Sequence, residues 1–389
     1  MSMPNNSPIE EASGESEGRP LPKTYSAPSA KFIPQLDGVR GLAILGVMAS
    51  HLMAYVITAR HSRAAQLFSL GNVGVDLFFV LSGFLITGIL VDTRTNSKFL
   101  LNFYGRRGLR IWPLYYSYLL LAFTVVPYVR PDLAAQIAQP YLWVPFIFFL
   151  QNFFRVPHFG FLFLEITWSV AIEEQFYLIW PILVRYCKMR SFTIFLLAVL
   201  SVEPVLRFCM LRLGMGDSAS IYINVFCRLD GLAAGSLLAI YIRSAYFDAA
   251  RLLRFCWLAI PLGGLGFAAA VHSPSLRYSF PPLAFAGFLG AAIYSRSIWL
   301  QKLLQCQPLL YTGRISYGLY LLHLVAFMWV RGIFSRWPPG VSYSATKELA
   351  FICTATAAAY LMATLSWYAL ERPVLSLKNH FGGRPPRVP

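Results

Sequence analysis

Residues 73–91 read VGVDLFFVLSGFLITGILV, nineteen residues with one charged side chain, Asp76. An α-helix rises 1.5 Å per residue, so this stretch reaches about 28 Å, close to the thickness of a bilayer's hydrocarbon core. Water would meet apolar side chains on every face of such a helix, whereas lipid solvates them. Ser82 and Gly83 interrupt the bulky run at its centre, where small residues let a second helix approach closely. Asp76, near one end, either orients a histidine or caps the helix.

Ten more apolar stretches surround this one, at about 38–57, 111–129, 141–154, 168–186, 191–211, 222–242, 252–271, 279–295, 315–334 and 347–370. Most have the ~20 residues a crossing helix needs. The exception is 141–154, which is short, follows Pro140 and contains Pro145. Composition agrees: of 389 residues 57% are hydrophobic and 13% charged, with mean hydropathy +0.56. The net charge of +16 does not suggest nucleic acid, because the basic residues sit mainly in short loops, as membrane orientation and anionic headgroups require. Cys187, Cys209, Cys227, Cys256, Cys306 and Cys353 occur singly, without metal-ligand spacing. They are read as buried small hydrophobes, and no metal site is expected.

Loop charges set the orientation. With the N-terminus inside and 141–154 not crossing, the intervals 92–110, 185–190, 243–254, 295–314 and 371–389 face the cytoplasm and carry 18 Lys and Arg. The opposite intervals 58–72, 130–167, 212–221, 272–278 and 331–346 carry 8. A full crossing by 141–154 would invert that bias. The expected fold is an all-α, polytopic transmembrane bundle of about ten spans, with 141–154 re-entrant from the outer face and both termini cytoplasmic. Residues 1–30 are polar and lack the features of a signal peptide, and read as a disordered cytoplasmic tail. Residues 31–375 form the membrane domain and 376–389 a C-terminal tail.

The chemistry-bearing residues lie inside the apolar segments. In LDGVRGLAILGVMASHL, Arg40 and His51 are eleven residues apart. That is about three turns, so they share a helix face ~16 Å apart along the axis. His51 lies near mid-membrane, either as a general base or as a neutral histidine satisfied by a partner. FYGRRGLRIWPLYY places Arg106, Arg107 and Arg110 at the inner face. This is either a topogenic cluster or, with Arg40, a guanidinium clamp for phosphates such as those of coenzyme A. TWSVAIEEQFYLIWP buries Glu173 and Glu174; helix neighbours point about 100° apart, so at most one faces a given polar site squarely. Arg228 and Asp230 in CRLDGLAAG fall within the span 222–242, two residues apart, so each is expected to pair with another helix. His323 in ISYGLYLLHL is assigned a structural role.

As a set, LDGVRGLAIL with His51, GVDLFFVLSGFLI, RRGLRIWPLYY, TWSVAIEEQFYLIWP, CRLDGLAAG, ISYGLYLLHL and LERP resemble acyltransferase family 3 over residues 33–375. That family modifies bacterial surface polysaccharides, lipopolysaccharide O-antigen, lipid-linked or nodulation oligosaccharides and some macrolides. The resemblance implies that Arg40 and His51 match the first-span arginine–histidine motif and that Arg107 and Arg110 match an Arg-x-x-Arg motif. The histidine would serve catalysis and the arginines the acyl-CoA donor. Trp168, Glu173 and Glu174 match a further signature, in which Val170 replaces the usual leucine. Some relatives carry a fused esterase-like domain, which this chain is expected to lack.

The resulting expectation is an O-acyltransferase of the bacterial inner membrane. Acyl-CoA, by resemblance acetyl-CoA, is the co-substrate, the acceptor is a carbohydrate or lipid-linked sugar, membrane lipids surround the bundle, and no cofactor is tightly bound. His51, Glu173 and Glu174 are the catalytic set, with a glutamate orienting the histidine; Arg40, Arg107 and Arg110 hold the donor. Asp37, Asp76, Trp168, Arg228, Asp230 and His323 are polar groups serving substrate or structure. The rival readings are a transporter or flippase using the same buried charges, and a non-catalytic sensor or assembly subunit.

Overall fold

The computed structural model describes residues 33–56, 73–129, 141–153, 162–334 and 345–381, and among these there is no β-strand. The principal helices are α1 (Pro34–Val56), α2 (Gly74–Asp92), α3 (Phe99–Thr124), α4 (Thr167–Tyr186), α5 (Met189–Arg212) and α6 (Leu229–Ile242). They continue as α7 (Ala249–Ala269), α8 (Phe280–Tyr294), α9 (Ile298–Leu304), α10 (Gln307–Arg314), α11 (Ser316–Phe334) and α12 (Ala345–Ser366). The N-terminal tail, the last eight residues, and the intervals 57–72, 130–140, 154–161 and 335–344 lie outside the described residues.

Among the described residues, seven helices are long and apolar enough to cross a membrane, or eight if Pro274–Tyr294 and Ile298–Leu304, bent by 100°, make one span. The expected ten is not reached by that measure. α4 carries Glu173, Glu174 and Arg185 on 20 residues. α6 has only 14, about 21 Å of rise against a ~30 Å core.

α2 is the central helix, with fourteen of its side chains or glycines buried. It packs backbone to backbone against α6. A Cβ on Gly83 would overlap the Leu232 carbonyl oxygen, and one on Gly235 would overlap that of Val80. This close approach brings Thr87 within 2.7 Å of Ser236, a hydrogen bond buried between the two helices. One apolar core gathers α1–α4, α11 and α12; a second gathers α1, α2, α6, α7 and α8.

Residues 141–153 do not form a crossing helix. They contain one five-residue helix, Trp143–Ile147, and left-handed residues at Tyr141 (φ 66°) and Phe149 (φ 55°). Irregular backbone at membrane depth must be satisfied by protein. Tyr115 and Tyr116 of α3 donate to the carbonyls of Phe146 (2.8 Å) and Ile147 (3.0 Å), and Gln175 of α4 donates to that of Phe149 (2.6 Å).

Two sequence expectations need correction. The stretch 222–242 is not one helix: it breaks at a 3-10 turn, Val225–Cys227, and α6 starts only at Leu229. The cause is Glu203 on α5, whose carboxylate accepts the N–H groups of Leu229 (2.8 Å) and Asp230 (3.0 Å) and so caps α6 from a neighbouring helix. The cysteines are also not uniformly buried: Cys227 and Cys256 are, but Cys209, Cys306 and Cys353 are exposed. Lipid solvates an apolar thiol as well as a core does.

Candidate active site

α1 and α3 present their arginines at the same end of the bundle, where they line one cleft. Its walls include Arg40, Arg107, Arg110, Ser82, Glu173, Tyr177, Ser169 and Tyr320, around about 790 Å³ of empty space that includes open solvent. Arg40 pairs with Asp37, one turn away on its own helix. Arg106 turns outward and donates to the Phe381 carbonyl (3.0 Å). Arg107 lies against the Tyr177 and Phe103 rings, 5.5 and 5.9 Å from their centroids. Neither Arg107 nor Arg110 has a hydrogen bond or ion pair to a described residue. Burial, and then the charges of Arg110, Arg107, Arg106 and Arg40, push the Lys378 ammonium on the turn Leu377–His380 down to about 7. This end of the cleft therefore concentrates cations with few counter-charges, as a polyanionic ligand requires.

Deeper in, Ser82 and Tyr177 share a hydrogen bond (2.7 Å) and Glu173 stands beside them in the wall. Glu174, one residue on, points to the far side of α4. Its Oε2 accepts from Trp112 (3.0 Å), and its Oε1 is buried without a partner among the described residues. The 100° between helix neighbours separates the two carboxylates.

Phe78 and Tyr320 also line the cleft, and their rings meet edge to face at 6.3 Å. The Tyr320 hydroxyl is held by Ser169 (2.6 Å) and by the Ile166 carbonyl (2.9 Å). His51 is not in the cleft wall. It lies past Tyr320 along a chain of rings, with Tyr320 at 6.2 Å from His323 and His323 at 5.1 Å from His51. The expected glutamate partner of His51 is replaced: its Nδ1 lies 2.9 Å from Nε2 of His323. His323 in turn lies 2.9 and 2.8 Å from the carbonyls of Leu319 and Tyr320. Both glutamates belong to α4, whose polar faces are occupied by the cleft and by Trp112; α11 supplies the partner instead.

At the opposite end of α2 from the arginine cleft is a separate buried network. Arg228 pairs with Asp76, and Arg207 pairs with Asp230 (2.9 Å) and Glu203 (3.4 Å). Both arginines are fully buried. Arg207 also donates to the carbonyls of Cys227 (2.8 Å) and Ser275 (2.9 Å) and to Ser279 (2.6 Å). Arg228 is enclosed by four rings, Tyr278 (4.8 Å), Tyr222 (5.0 Å), Phe79 (5.8 Å) and Trp168 (6.0 Å). Trp168 thus encloses this guanidinium and is absent from the cleft wall. Five groups engage Arg207, while Nε and Nη1 of Arg228 are buried without a hydrogen-bond partner among the described residues; the network lies at the break before α6. Glu203 and Arg207 were missed in the sequence reading, although their i, i+4 spacing inside an apolar stretch marked them as a pair.

A polytopic helical bundle, with a cation-lined cleft and a hydrogen-bonded histidine pair beyond it, defines the class as a multi-pass membrane protein. Residues 33–370 match the family model described as an acyltransferase domain, and the chain belongs to that family, acyltransferase family 3. Among similar proteins, the O-acetyltransferase OatA of Staphylococcus aureus (strain NCTC 8325 / PS 47) is 29% identical over 91% of this chain and 58% of its own length. The peptidoglycan O-acetyltransferase OatA of Listeria monocytogenes is 25% identical over 91% of this chain and 57% of its own. The chain thus spans somewhat more than half the length of these relatives. No solved structure matches it.

Proposed function

We propose that this chain is an O-acetyltransferase of the bacterial cytoplasmic membrane, with both termini inside and about ten crossings, counting α4, α6 and the bent α8–α9 pair. It moves acetyl from acetyl-CoA to a hydroxyl of cell-wall carbohydrate. One observation carries this reading: Arg107 and Arg110 line a cleft without a hydrogen bond or ion pair to a described residue, while the fully buried Arg207 and Arg228 are paired. The names of the two relatives support the reaction class, and the Listeria relative's name supports the acceptor class.

The donor's phosphates occupy the mouth against Arg107, Arg110 and Arg40, and its thioester extends toward Phe78 and Tyr320. Reaching His51 requires Tyr320 to swing aside. His51 takes the proton of the acceptor hydroxyl as that oxygen attacks the thioester carbonyl. The C–S bond then breaks, and the leaving thiolate recovers the proton as CoASH. A site walled from water limits hydrolysis of the thioester.

The test is acceptor-dependent CoASH release and acetyl incorporation by the purified chain with acetyl-CoA and cell-wall fragments. His51→Ala should abolish both and leave acetyl-CoA binding intact. Near-normal turnover by that variant would refute the role of His51, and absence of any acetyl-CoA binding by the wild type would refute the donor.

A further inference from the structure

Hydrogen-bond logic assigns the proton positions in the histidine pair. Backbone carbonyls only accept, so Nδ1 of His323, 2.9 Å from the Leu319 oxygen and 2.8 Å from that of Tyr320, carries a hydrogen. A neutral imidazole has one N–H, which leaves Nε2 of His323 as a bare acceptor. His51 Nδ1, 2.9 Å away, must then be the donor, and the Nε2 atom of His51 keeps its lone pair free. The alternative is a charged His323 donating to His51. It would place an imidazolium at a fully buried position where no described carboxylate bonds either ring, a costly arrangement in the interior of a membrane protein.

We propose that His323 is the positioning residue of this site, holding His51 in the tautomer whose Nε2 can accept a proton and sharing the charge that results. The inference rests on the reading of His51 as the base. When His51 Nε2 takes the proton from the acceptor hydroxyl, His51 becomes an imidazolium whose Nδ1–H points at the bare Nε2 of His323. Charge spreads across that contact onto a second ring whose Nδ1–H already faces two carbonyl dipoles. Return of the Nε2 proton to the leaving thiolate restores both neutral rings, so no proton is gained or lost over the cycle.

A carboxylate in the place of His323 would orient His51 equally well. It would, however, keep a permanent negative charge inside the bundle between turnovers. The imidazole and its two carbonyls do the same work while neutral at rest. The local arrangement is compact: Leu319 and Tyr320 lie four and three residues before His323 on α11, so one turn of helix fixes the ring that fixes His51.

The experiment uses the full chain in nanodiscs, with wild type, His51→Ala, His323→Leu and His323→Gln. Glutamine can accept from His51 Nδ1–H through its amide oxygen and donate to the carbonyls through its amide nitrogen. His323→Leu should lower kcat about 10- to 100-fold with the KM for acetyl-CoA unchanged, and His323→Gln should recover most of that loss. In ¹⁵N-histidine spectra, the His51 signals should show protonated Nδ1 and bare Nε2 in wild type and His323→Gln, and a mixture of tautomers in His323→Leu. A wild-type kcat for His323→Leu, alongside an inactive His51→Ala, overturns the positioning role alone. An active His51→Ala removes the base itself. A kcat loss that His323→Gln does not recover, with the His51 tautomer unchanged, reduces His323 to packing. If His323→Leu does not fold, the kinetics and spectrum of His323→Gln against wild type decide the matter.

Discussion

Arg107→Ala gives the sharpest test of the cleft. The Arg107 guanidinium rests on two aromatic faces and bonds no described residue, so its removal breaks no hydrogen bond or ion pair. The effect should appear only when an anion is bound. A charge-assisted hydrogen bond is worth about 1.5–3 kcal/mol, which corresponds to roughly 10- to 150-fold in affinity. Acetyl-CoA titrated into the purified chain should show that loss, with KM rising by a similar factor and kcat changing little. The thermal midpoint without ligand should stay close to wild type. Arg106→Ala is the internal control, since its guanidinium is engaged with the Phe381 carbonyl, and it should weaken binding much less. Equal affinity for acetyl-CoA in wild type and Arg107→Ala would refute the reasoning, as would a loss that persists with an uncharged acyl thioester.

Two further outcomes follow from the same geometry. Glu173→Gln should lower turnover at least about tenfold, because Glu173 lines the cleft in a region of low dielectric, whereas Glu174→Gln, directed at Trp112, should leave it nearly unchanged; the opposite ranking in CoASH-release assays would exclude this placement of α4. Arg207→Met strips the buried carboxylates of Glu203 and Asp230 of their cation, a loss of about 3–5 kcal/mol. That corresponds to roughly 6–10 °C at the sensitivity of larger domains, measured by heating the detergent-solubilised protein and following the monomer peak, and an unshifted midpoint would contradict the network.

Much of this arrangement was legible in the sequence because it depends on local rules. Apolar length marks helices such as α1, α2 and α11, and the eleven-residue interval puts Arg40 and His51 on one face of one helix. Arg107 and Arg110 are expected in the inner loop 92–110, whereas α3 starts at Phe99 and already carries both. Pairing between helices was not legible. His51 and His323 are 272 residues apart, and nothing near either one specifies the other. The two glutamates looked like the natural partners because carboxylates orient histidines elsewhere. The break before α6 was hidden for a related reason: 222–242 is apolar enough to read as one span, and the group that interrupts it, Glu203, comes from α5. The re-entrant reading of 141–154 rested on loop charge and proline, whereas what holds 141–153 in place is a set of tyrosine and glutamine donors on α3 and α4.

Partner accounting separates the ionisable groups of this bundle by role. A guanidinium inside an apolar protein needs either a fixed carboxylate or a ligand that arrives with charge. Arg207 has two carboxylates, two carbonyls and a hydroxyl, and Arg228 has Asp76 and a shell of four rings. Arg207 is satisfied before any substrate binds, whereas Arg228 bonds Asp76 alone and keeps Nε and Nη1 buried without a hydrogen-bond partner among the described residues. Arg107 and Arg110 bond neither a carboxylate nor a carbonyl among the described residues, although Glu173 shares their cleft wall, and Lys378 sits in the field of the same arginines. Their mutual repulsion in the empty cleft is free energy that a bound polyphosphate releases, so donor binding is favoured by relief of repulsion as well as by new contacts. Screening follows from the same origin: raising ionic strength weakens both the repulsion and the attraction at the mouth, and acetyl-CoA affinity should fall with added salt. The His51–His323 pair lies behind Tyr320 and carries no net charge at rest, so it should be insensitive to that salt. The dependence should therefore appear in KM and not in kcat.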